Sequence, residues 1–209
     1  MKKKIGFGSK LFMALVLLLM YVPVVIVVLY SFNANETKNS AEFTGFTLKW
    51  YSELFTNTRG IGDALLNTLQ LGLYSCLLAT VLGTLGAVGL SQMAATGKVT
   101  RWGRMAESLT TLPIMIPEIV LGMALMALYY LVDLPFGMLT LTLAHTTFCI
   151  PYILIVVKGR LAGMDPSLAE AARDLGATPK RVLLDITLPL IRPGILSGMF
   201  LALAMSLDD

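Results

Sequence analysis

Long apolar segments with at most one charged residue constrain this chain of 209 residues more than any other feature. About 20 apolar residues cross the hydrocarbon core of a bilayer, so each such segment is a candidate transmembrane helix. The candidate spans cover residues 11–32, 64–95, 108–132, 137–157 and 190–207. We therefore predict one all-α transmembrane domain over residues 1–209, a polytopic helical bundle whose fifth helix is cut short by the end of the sequence.

The composition supports a bilayer as the solvent of this chain. Hydrophobic residues make up 56% of it and charged residues 14%, whereas a typical soluble domain has about 45–50% and about 25%. This balance excludes a secreted disulfide-stabilised domain, a disordered regulator and an ordinary cytosolic enzyme. The net charge of +3 is too small to indicate nucleic-acid binding. Cys76 and Cys149 lie in apolar segments, so we interpret them as buried thiols.

The distribution of lysine and arginine predicts the orientation, because these residues favour cytoplasmic loops. Thirteen of the 16 basic residues lie in residues 1–10, 98–104 and 158–192, and the other three lie in loop 33–63. The N-terminus and residues 158–189 are therefore predicted to be cytoplasmic. The first span contains Pro23 and has no small-residue cleavage site after it, so we interpret it as a retained anchor.

The third span contains a single charged residue, Glu118. Pro113 and Pro117 each remove a backbone donor, and such a break is tolerated where it faces protein or a watery cavity. Glu118 follows directly and lies 11 residues after Glu107, about 16 Å along a straight helix and hence near the midplane. An acid at that depth is expected to line a cavity or meet a cation. The alternative is a protonated or locally hydrogen-bonded carboxyl group.

Other polar and aromatic residues are candidates for a substrate path. His145 lies in the fourth span, and Asp208 and Asp209 lie about 24 Å beyond Arg192 if the fifth helix is continuous. The alternatives are that the histidine only bonds a neighbouring helix and that the two acids only end theirs. Residues 46–55 are predicted to form a short amphipathic helix, in which Trp50 and Tyr51 suit either cation–π binding of an amine or anchoring at the membrane surface.

Small residues recur every four positions in the second span, which keeps one helix face thin. They are Ser75, Ala79, Gly83, Ala87 and Ser91. The stripe is compatible with packing against a partner subunit or within this chain.

The loop 158–189 carries repeated helix-capping signals. Asp165-Pro166 and Thr178-Pro179 each combine an N-cap residue with proline at the first helical position. Gly176 is a typical helix stop, and Pro189 is expected to end the second helix. We predict two short helices at the membrane surface that dock onto another protein.

Seven positions of this loop match a family pattern. Glu170-Ala171-Ala172 is followed after three residues by Gly176 and after nine more by Ile186-Thr187-Leu188-Pro189. The loop therefore resembles the EAA loop of bacterial ABC-importer permeases, which seats in a groove of the ATPase subunit. The resemblance implies this coupling role for Glu170, Ala171, Ala172, Gly176, Ile186, Leu188 and Pro189.

Further segments extend the resemblance over nearly the whole chain, to the spermidine/putrescine family of these permeases (C-subunit type). They are residues 21–23, 31–33, 45–47, 49–51, 145–151 and 206–209. The resemblance implies a bacterial inner-membrane importer of polyamines with ATP-binding-cassette ATPase subunits, a second permease and an extracytoplasmic substrate-binding protein. It places Glu118, Asp208 and Trp50 on the substrate path. Because that family has a sixth helix, we expect the sequence to be truncated.

The sequence contains no P-loop, so ATP hydrolysis is assigned to a partner and no cofactor is expected. A polyamine is a flexible multiple cation, and acidic or aromatic groups would hold it weakly at several points. One alternative is a permease for iron, thiamine or an anion, although Glu118 would repel an anion. Another is a non-transporting scaffold subunit. An intramembrane hydrolase that uses His145 is disfavoured because the H-E-x-x-H motif is absent.

Overall fold

The computed structural model describes residues 6–36, 42–56, 60–95, 97 and 100–208, and its regular elements are helices. In chain order these are α1 (Phe7–Tyr30), α2 (Lys49–Thr56), α3 (Ile61–Ala95), α4 (Arg101–Met115), α5 (Glu118–Leu131), α6 (Met138–Ala162), α7 (Ser167–Asp174), α8 (Pro179–Arg181), a π-helical segment (Val182–Thr187) and α9 (Leu188–Asp208). Four helical stretches are long and apolar enough to cross a membrane, and α4 with α5 makes a fifth if that bent pair is one span. The predicted all-α membrane fold is confirmed.

The chain divides into two compact units, residues 1–64 and 65–209. In the first unit, Asn33 organises the turn that follows α1. Its side-chain amide donates to the carbonyl of Glu42 at 2.7 Å, and its side-chain oxygen accepts from the backbone N–H of Thr44 at 2.9 Å. The buried amide therefore closes the loop between α1 and α2.

In the second unit, the small-residue stripe of α3 packs within the chain. Ser75, Ala79, Gly83 and Ala87 are all buried. A Cβ atom on Gly83 would lie 3.0 Å from the Cβ of Ile153 on α6. Glycine at this position thus permits the close approach of α3 to α6. The structure supports packing of the stripe within this chain.

The third predicted span is not one straight helix. α4 and α5 are bent by 115°, and Ile116 between them is extended, with φ −90° and ψ 131°. A residue before proline avoids the helical region because the proline ring crowds its backbone, and Ile116 precedes Pro117. The estimate that placed Glu118 about 16 Å along a straight helix from Glu107 is therefore wrong.

The helices of loop 158–189 begin and end where their capping residues predict. Asp165 accepts a hydrogen bond from the backbone N–H of Ser167 at 3.0 Å. Gly176 follows α7 with φ +84°, a left-handed conformation that favours glycine. The hydroxyl of Thr178 accepts from the backbone N–H of Arg181.

The expectation that Pro189 ends a short second helix is wrong. Helical structure continues from Pro179 to Asp208, and its central part, Val182–Thr187, is π-helical. A π turn is wider than an α turn, so it accommodates a proline ring without ending the helix. The last predicted span is thus joined directly to the second half of loop 158–189.

Candidate functional site

A cavity of about 380 Å³ lies between α5 and α6 in the second unit. Most of its lining is apolar. The residues with polar groups or aromatic rings in the lining are Glu118, Tyr129, Phe136, Thr140, His145 and Phe148. Two of the residues predicted for the substrate path, Glu118 and His145, therefore line one cavity.

Glu118 reaches this cavity because the chain breaks before it. It is the first residue of α5 and directly follows Pro117. A carboxylate at a helix N-terminus interacts favourably with the unpaired N–H groups of the first turn. In the described part of the chain, no lysine or arginine forms a salt bridge with Glu118. The cavity therefore holds an acidic group that no basic side chain within those residues neutralises.

A chain of hydrogen bonds connects His145 to two other helices. Its Nδ1 lies 2.9 Å from the Oγ of Ser206 on α9, which lies 3.2 Å from the Oγ of Ser75 on α3. Ser75 donates its proton to the carbonyl of Leu71 at 2.7 Å. Every proton then finds an acceptor if Ser206 donates to Ser75 and His145 Nδ1 donates to Ser206. His145 thus bonds a neighbouring helix, which the sequence suggested as the alternative to a place on the substrate path. It also lines the cavity.

The acids at the end of the last helix occupy a different place. Asp208 is the last residue of α9, is exposed, and does not line the cavity. Because α9 is continuous from Leu188, Asp208 lies about 24 Å along the axis from Arg192. Asp209 lies outside the described residues. The structure therefore does not bring Asp208 together with Glu118.

Trp50 and Tyr51 belong to α2 in the first unit, and their polar atoms bond the end of α1. The indole N–H of Trp50 donates to the carbonyl of Asn33 at 2.7 Å, and the hydroxyl of Tyr51 lies 2.6 Å from the Oγ of Ser31. The ammonium of Lys49 lies 5.5 Å from the centroid of the Trp50 ring. A cation thus already lies within cation–π range of this ring.

Lys49 also forms a surface ion pair with Glu36. The hydrogen bond and the charge of Glu36 raise the pKa of Lys49, and the same contact lowers the pKa of the Glu36 carboxyl group. Both groups are exposed to solvent, so the pair contributes little to stability.

The predicted docking loop presents an apolar stripe that the rest of the chain leaves uncovered. Leu168 and Leu175 on the stripe are exposed, the latter by 90%, and Glu170 and Ala171 are exposed as well. The backbone N–H of Ser167 bonds the carboxyl group of Asp165 and lowers its pKa, which holds this cap ionised. A short, well-capped helix with an exposed apolar face is suited to docking.

The helices long enough to span a membrane and the cavity between α5 and α6 define a polytopic helical membrane protein. The profile of the family described as "Binding-protein-dependent transport system inner membrane component" matches residues 87–209. The chain belongs to this family, so it is an inner-membrane permease component of a binding-protein-dependent transport system.

Three relatives agree with this assignment. The spermidine/putrescine transport system permease protein PotC of Haemophilus influenzae is 35% identical over 198 residues, which are 95% of this chain and 74% of the relative. The putrescine transport system permease protein PotI of Escherichia coli is 37% identical over 205 residues, 91% of this chain and 67% of the relative. PotC of Escherichia coli is 33% identical over 198 residues, 95% of this chain and 72% of the relative. The resemblance inferred from the sequence is confirmed.

The aromatic part of the cavity lining was not predicted from the sequence. Tyr129, Phe136 and Phe148 line it together with Glu118 and His145. Aromatic residues in apolar helices do not reveal which of them face lipid and which face a cavity. The one available signal was spacing, since Phe148 follows His145 by three residues and shares its helix face.

Proposed function

We propose that this chain is a permease subunit of an importer for polyamines such as spermidine and putrescine. The observation that supports the proposal most is a carboxylate and three aromatic rings in one cavity, given by Glu118 with Tyr129, Phe136 and Phe148. Carboxylates attract ammonium groups, and aromatic faces bind them by cation–π interaction. The names of the relatives PotC and PotI point to the same class of substrate.

The cavity suits transient binding of a flexible cation. Its volume of about 380 Å³ lies at the lower end of the range for small-molecule sites. One carboxylate leaves the remaining ammonium groups of a polyamine unpaired, so the substrate is held weakly enough to leave. Asp208, Asp209, Trp50 and Tyr51 are further positions on the proposed path, carried over from the family resemblance and the charge pattern.

We also propose that the loop around α7 couples the permease to an ATP-binding-cassette ATPase. The support is the spacing of Glu170-Ala171-Ala172, Gly176 and Ile186-Thr187-Leu188-Pro189 together with the exposed apolar face of α7. Helical structure runs from Pro179 into α9, so movement that passes from α7 through residues 175–178 would continue into the membrane along one helix. A second permease and an extracytoplasmic binding protein complete the proposed importer.

The proposed orientation places the N-terminus and α7 in the cytoplasm. It rests on the 13 of 16 basic residues that lie on one side of the predicted spans. In this orientation the Lys158 end of α6 is cytoplasmic and the turn at Asp133 faces outward.

Uptake of labelled spermidine tests the substrate proposal. Cells that lack their own polyamine importers would express this chain with an ATP-binding-cassette ATPase, a second permease and a binding protein from the same organism. We expect Glu118→Gln to lower uptake at least tenfold, because the amide keeps the shape and removes the charge. Asp133→Asn is the matched control, since Asp133 is exposed, lies outside the cavity and has a φ of 55° that asparagine tolerates.

Equal uptake by both variants would remove Glu118 from the path. Uptake of thiamine or ferric ion that excess spermidine does not inhibit would instead assign the importer to another solute.

Substitution in the loop tests the coupling proposal. Gly176 has a φ of +84°, so Gly176→Val strains the backbone at the end of α7. We expect this variant to lose most substrate-stimulated ATP hydrolysis in the reconstituted importer. Gly163→Ala is the control, because Gly163 has a φ of −89° and an added Cβ would make only ordinary contacts. Normal stimulation in Gly176→Val would contradict the coupling role.

A further inference from the structure

α4 lies at one end of the second unit, beside the ends of two long helices. A Cβ atom on Gly103 would lie 3.3 Å from the sulfur of Met93, which is close to the end of α3 at Ala95. Glu107 on α4 forms an ion pair with Lys158, which is close to the end of α6 at Ala162. In the proposed orientation this is the cytoplasmic end, so α4 lies at the level of the membrane surface.

The direction of α4 agrees with this level. The axis turns by 115° between α4 and α5. If α5 crosses the bilayer along its normal, α4 is inclined by only about 25° to the membrane plane. An amphipathic helix that lies nearly in the membrane plane at this level is typical of an interfacial helix.

The side of α4 that faces away from the bundle combines two cations, a hydroxyl group and apolar side chains. Arg101, Arg104 and Ser108 fall within about 60° of one another around the helix, and they line a shallow surface groove with Met105 and Leu109. In the described part of the chain, neither guanidinium forms a salt bridge.

Trp102 on the same helix is 77% exposed. Its position next to the groove is typical of the aromatic residues that lie at membrane interfaces.

We propose that this surface of α4, formed by Arg101, Arg104, Met105, Ser108 and Leu109, binds the headgroup of an anionic phospholipid in the cytoplasmic leaflet. The two guanidinium groups bind the phosphate oxygens, which they match in charge and geometry. The hydroxyl of Ser108 donates to the same group, and Met105 and Leu109 lie beside the first acyl carbons. The adjoining apolar side chains favour an amphiphile over a free anion.

The site is separate from the cavity between α5 and α6 and does not depend on the solute that is transported. It gives the bent helix pair a function at the membrane surface, because a lipid held on α4 stabilises the position from which α5 enters the bilayer.

Native mass spectrometry of the purified full chain tests the proposal. The probes are dioleoyl phosphatidylglycerol and the zwitterionic dioleoyl phosphatidylcholine, and we expect the chain to prefer the first. Each basic residue at an anionic surface contributes about fivefold in affinity, so Arg101→Gln with Arg104→Gln should weaken phosphatidylglycerol binding about 25-fold. The paired lysine variants, Arg101→Lys with Arg104→Lys, should bind more weakly than the unchanged chain and more tightly than the glutamine pair, because lysine keeps the charge and loses the planar guanidinium geometry.

The matched control replaces two other exposed basic residues of the same predicted side, Lys180→Gln with Arg181→Gln, and should leave binding unchanged. Equal loss in the control pair would overturn a defined site in favour of general charge attraction. Competition by glycerophosphoglycerol, which has the headgroup without acyl chains, at equal concentration would also overturn it. Unchanged lipid binding by the glutamine pair, together with loss of the partner subunits when the assembled importer is purified, would assign the surface to a protein interface. Circular dichroism distinguishes all of these from misfolding.

Discussion

Two pairs of prolines with the same spacing have opposite effects on this fold. At Pro113 and Pro117 the helix axis bends by 115° between α4 and α5. Pro189 and Pro193, in contrast, lie within one continuous helical stretch. Each pair removes two backbone donors from a helical segment, and each ring crowds a carbonyl one turn earlier. The sequence of the motif therefore does not by itself decide whether a helix breaks.

Local backbone geometry is the first difference. Ile116, before Pro117, is extended, while Leu188, before Pro189, remains helical with φ −60° and ψ −45°. The turn before Pro189 belongs to the π-helical segment Val182–Thr187. The wider π turn makes room for the ring, so the strain of a helical residue before proline is relieved without a break.

Packing is the second difference. A Cβ atom on Gly194 would lie 2.8 Å from the Cβ of Arg160, so α9 and α6 are in close contact beside the proline pair. The Nε of Arg160 also donates to the carbonyl of Leu190 at 3.3 Å. At the other pair, Met115 and Ile119 are 80% and 78% exposed. A neighbouring helix thus holds one proline pair straight, whereas the described residues leave the side chains beside the other pair exposed.

Removal of Pro117 gives the largest effect that this comparison predicts. Pro117→Ala restores a backbone donor and frees Ile116 to become helical, a change of about 3 kcal/mol in helix preference. We expect α4 and α5 to straighten. Spin labels at Ala106→Cys and Leu128→Cys, with Cys76 and Cys149 replaced by alanine, measure the change by pulsed electron resonance. The backbone separation should rise from about 18 Å for the bent pair to about 33 Å for a straight helix.

Pro189→Ala is the control for this experiment. Because helical structure is already continuous from Pro179 to Asp208, the distance between labels on the two sides of Pro189 should not change. An unchanged distance in Pro117→Ala would mean that the bend has a cause other than proline.

The second prediction concerns the packing of α9 against α6. A Cβ atom on Gly198 would lie 3.3 Å from the Cα of Ile153, a backbone atom that cannot move aside. We expect Gly198→Leu to lower the free energy of unfolding by about 1–3 kcal/mol through overpacking. Gly122→Leu is the matched control, because a Cβ atom on Gly122 of α5 meets nothing within 4 Å. Equal destabilisation of the two variants in detergent would contradict the packing argument.

The features that follow local rules were predictable from the sequence. The caps at Asp165 and Thr178 and the stop at Gly176 depend only on the residues beside them, and the structure has all three. The long apolar segments likewise predicted the helical membrane fold, because their length and lack of charge are fixed in the sequence.

The features that depend on distant contacts were not predictable. The continuation of the helix through Pro189 depends on a π turn and on α6. The cavity brings together Glu118 and His145 only because Pro117 redirects the chain and α5 lies beside α6. The aromatic lining was missed for the same reason. Sequence patterns thus identified the acid and the histidine singly, and tertiary structure placed them together.

The smallest effect is expected from the hydrogen bonds of Ser206 at the far end of α9. These bonds hold the straight helix at a second point, away from the proline pair. Ser206 bonds His145 on α6 and Ser75 on α3. Hydrogen bonds between membrane helices contribute about 0.6 kcal/mol on average, so we expect Ser206→Ala to lower the free energy of unfolding by about that amount.

A matched serine on the same helix distinguishes the loss of these inter-helix hydrogen bonds from a general effect of serine removal. Ser197 donates to the carbonyl of Pro193 within α9 and contacts no other helix by that bond, so Ser197→Ala should cost less. In the double variant with His145→Ala, the loss from Ser206→Ala should shrink, because one of the two inter-helix partners of Ser206 is already gone. Additive losses in that cycle would mean that the histidine and the serine are neighbours without a stabilising bond, and that the contact of Gly194 and Gly198 with α6 alone keeps α9 straight.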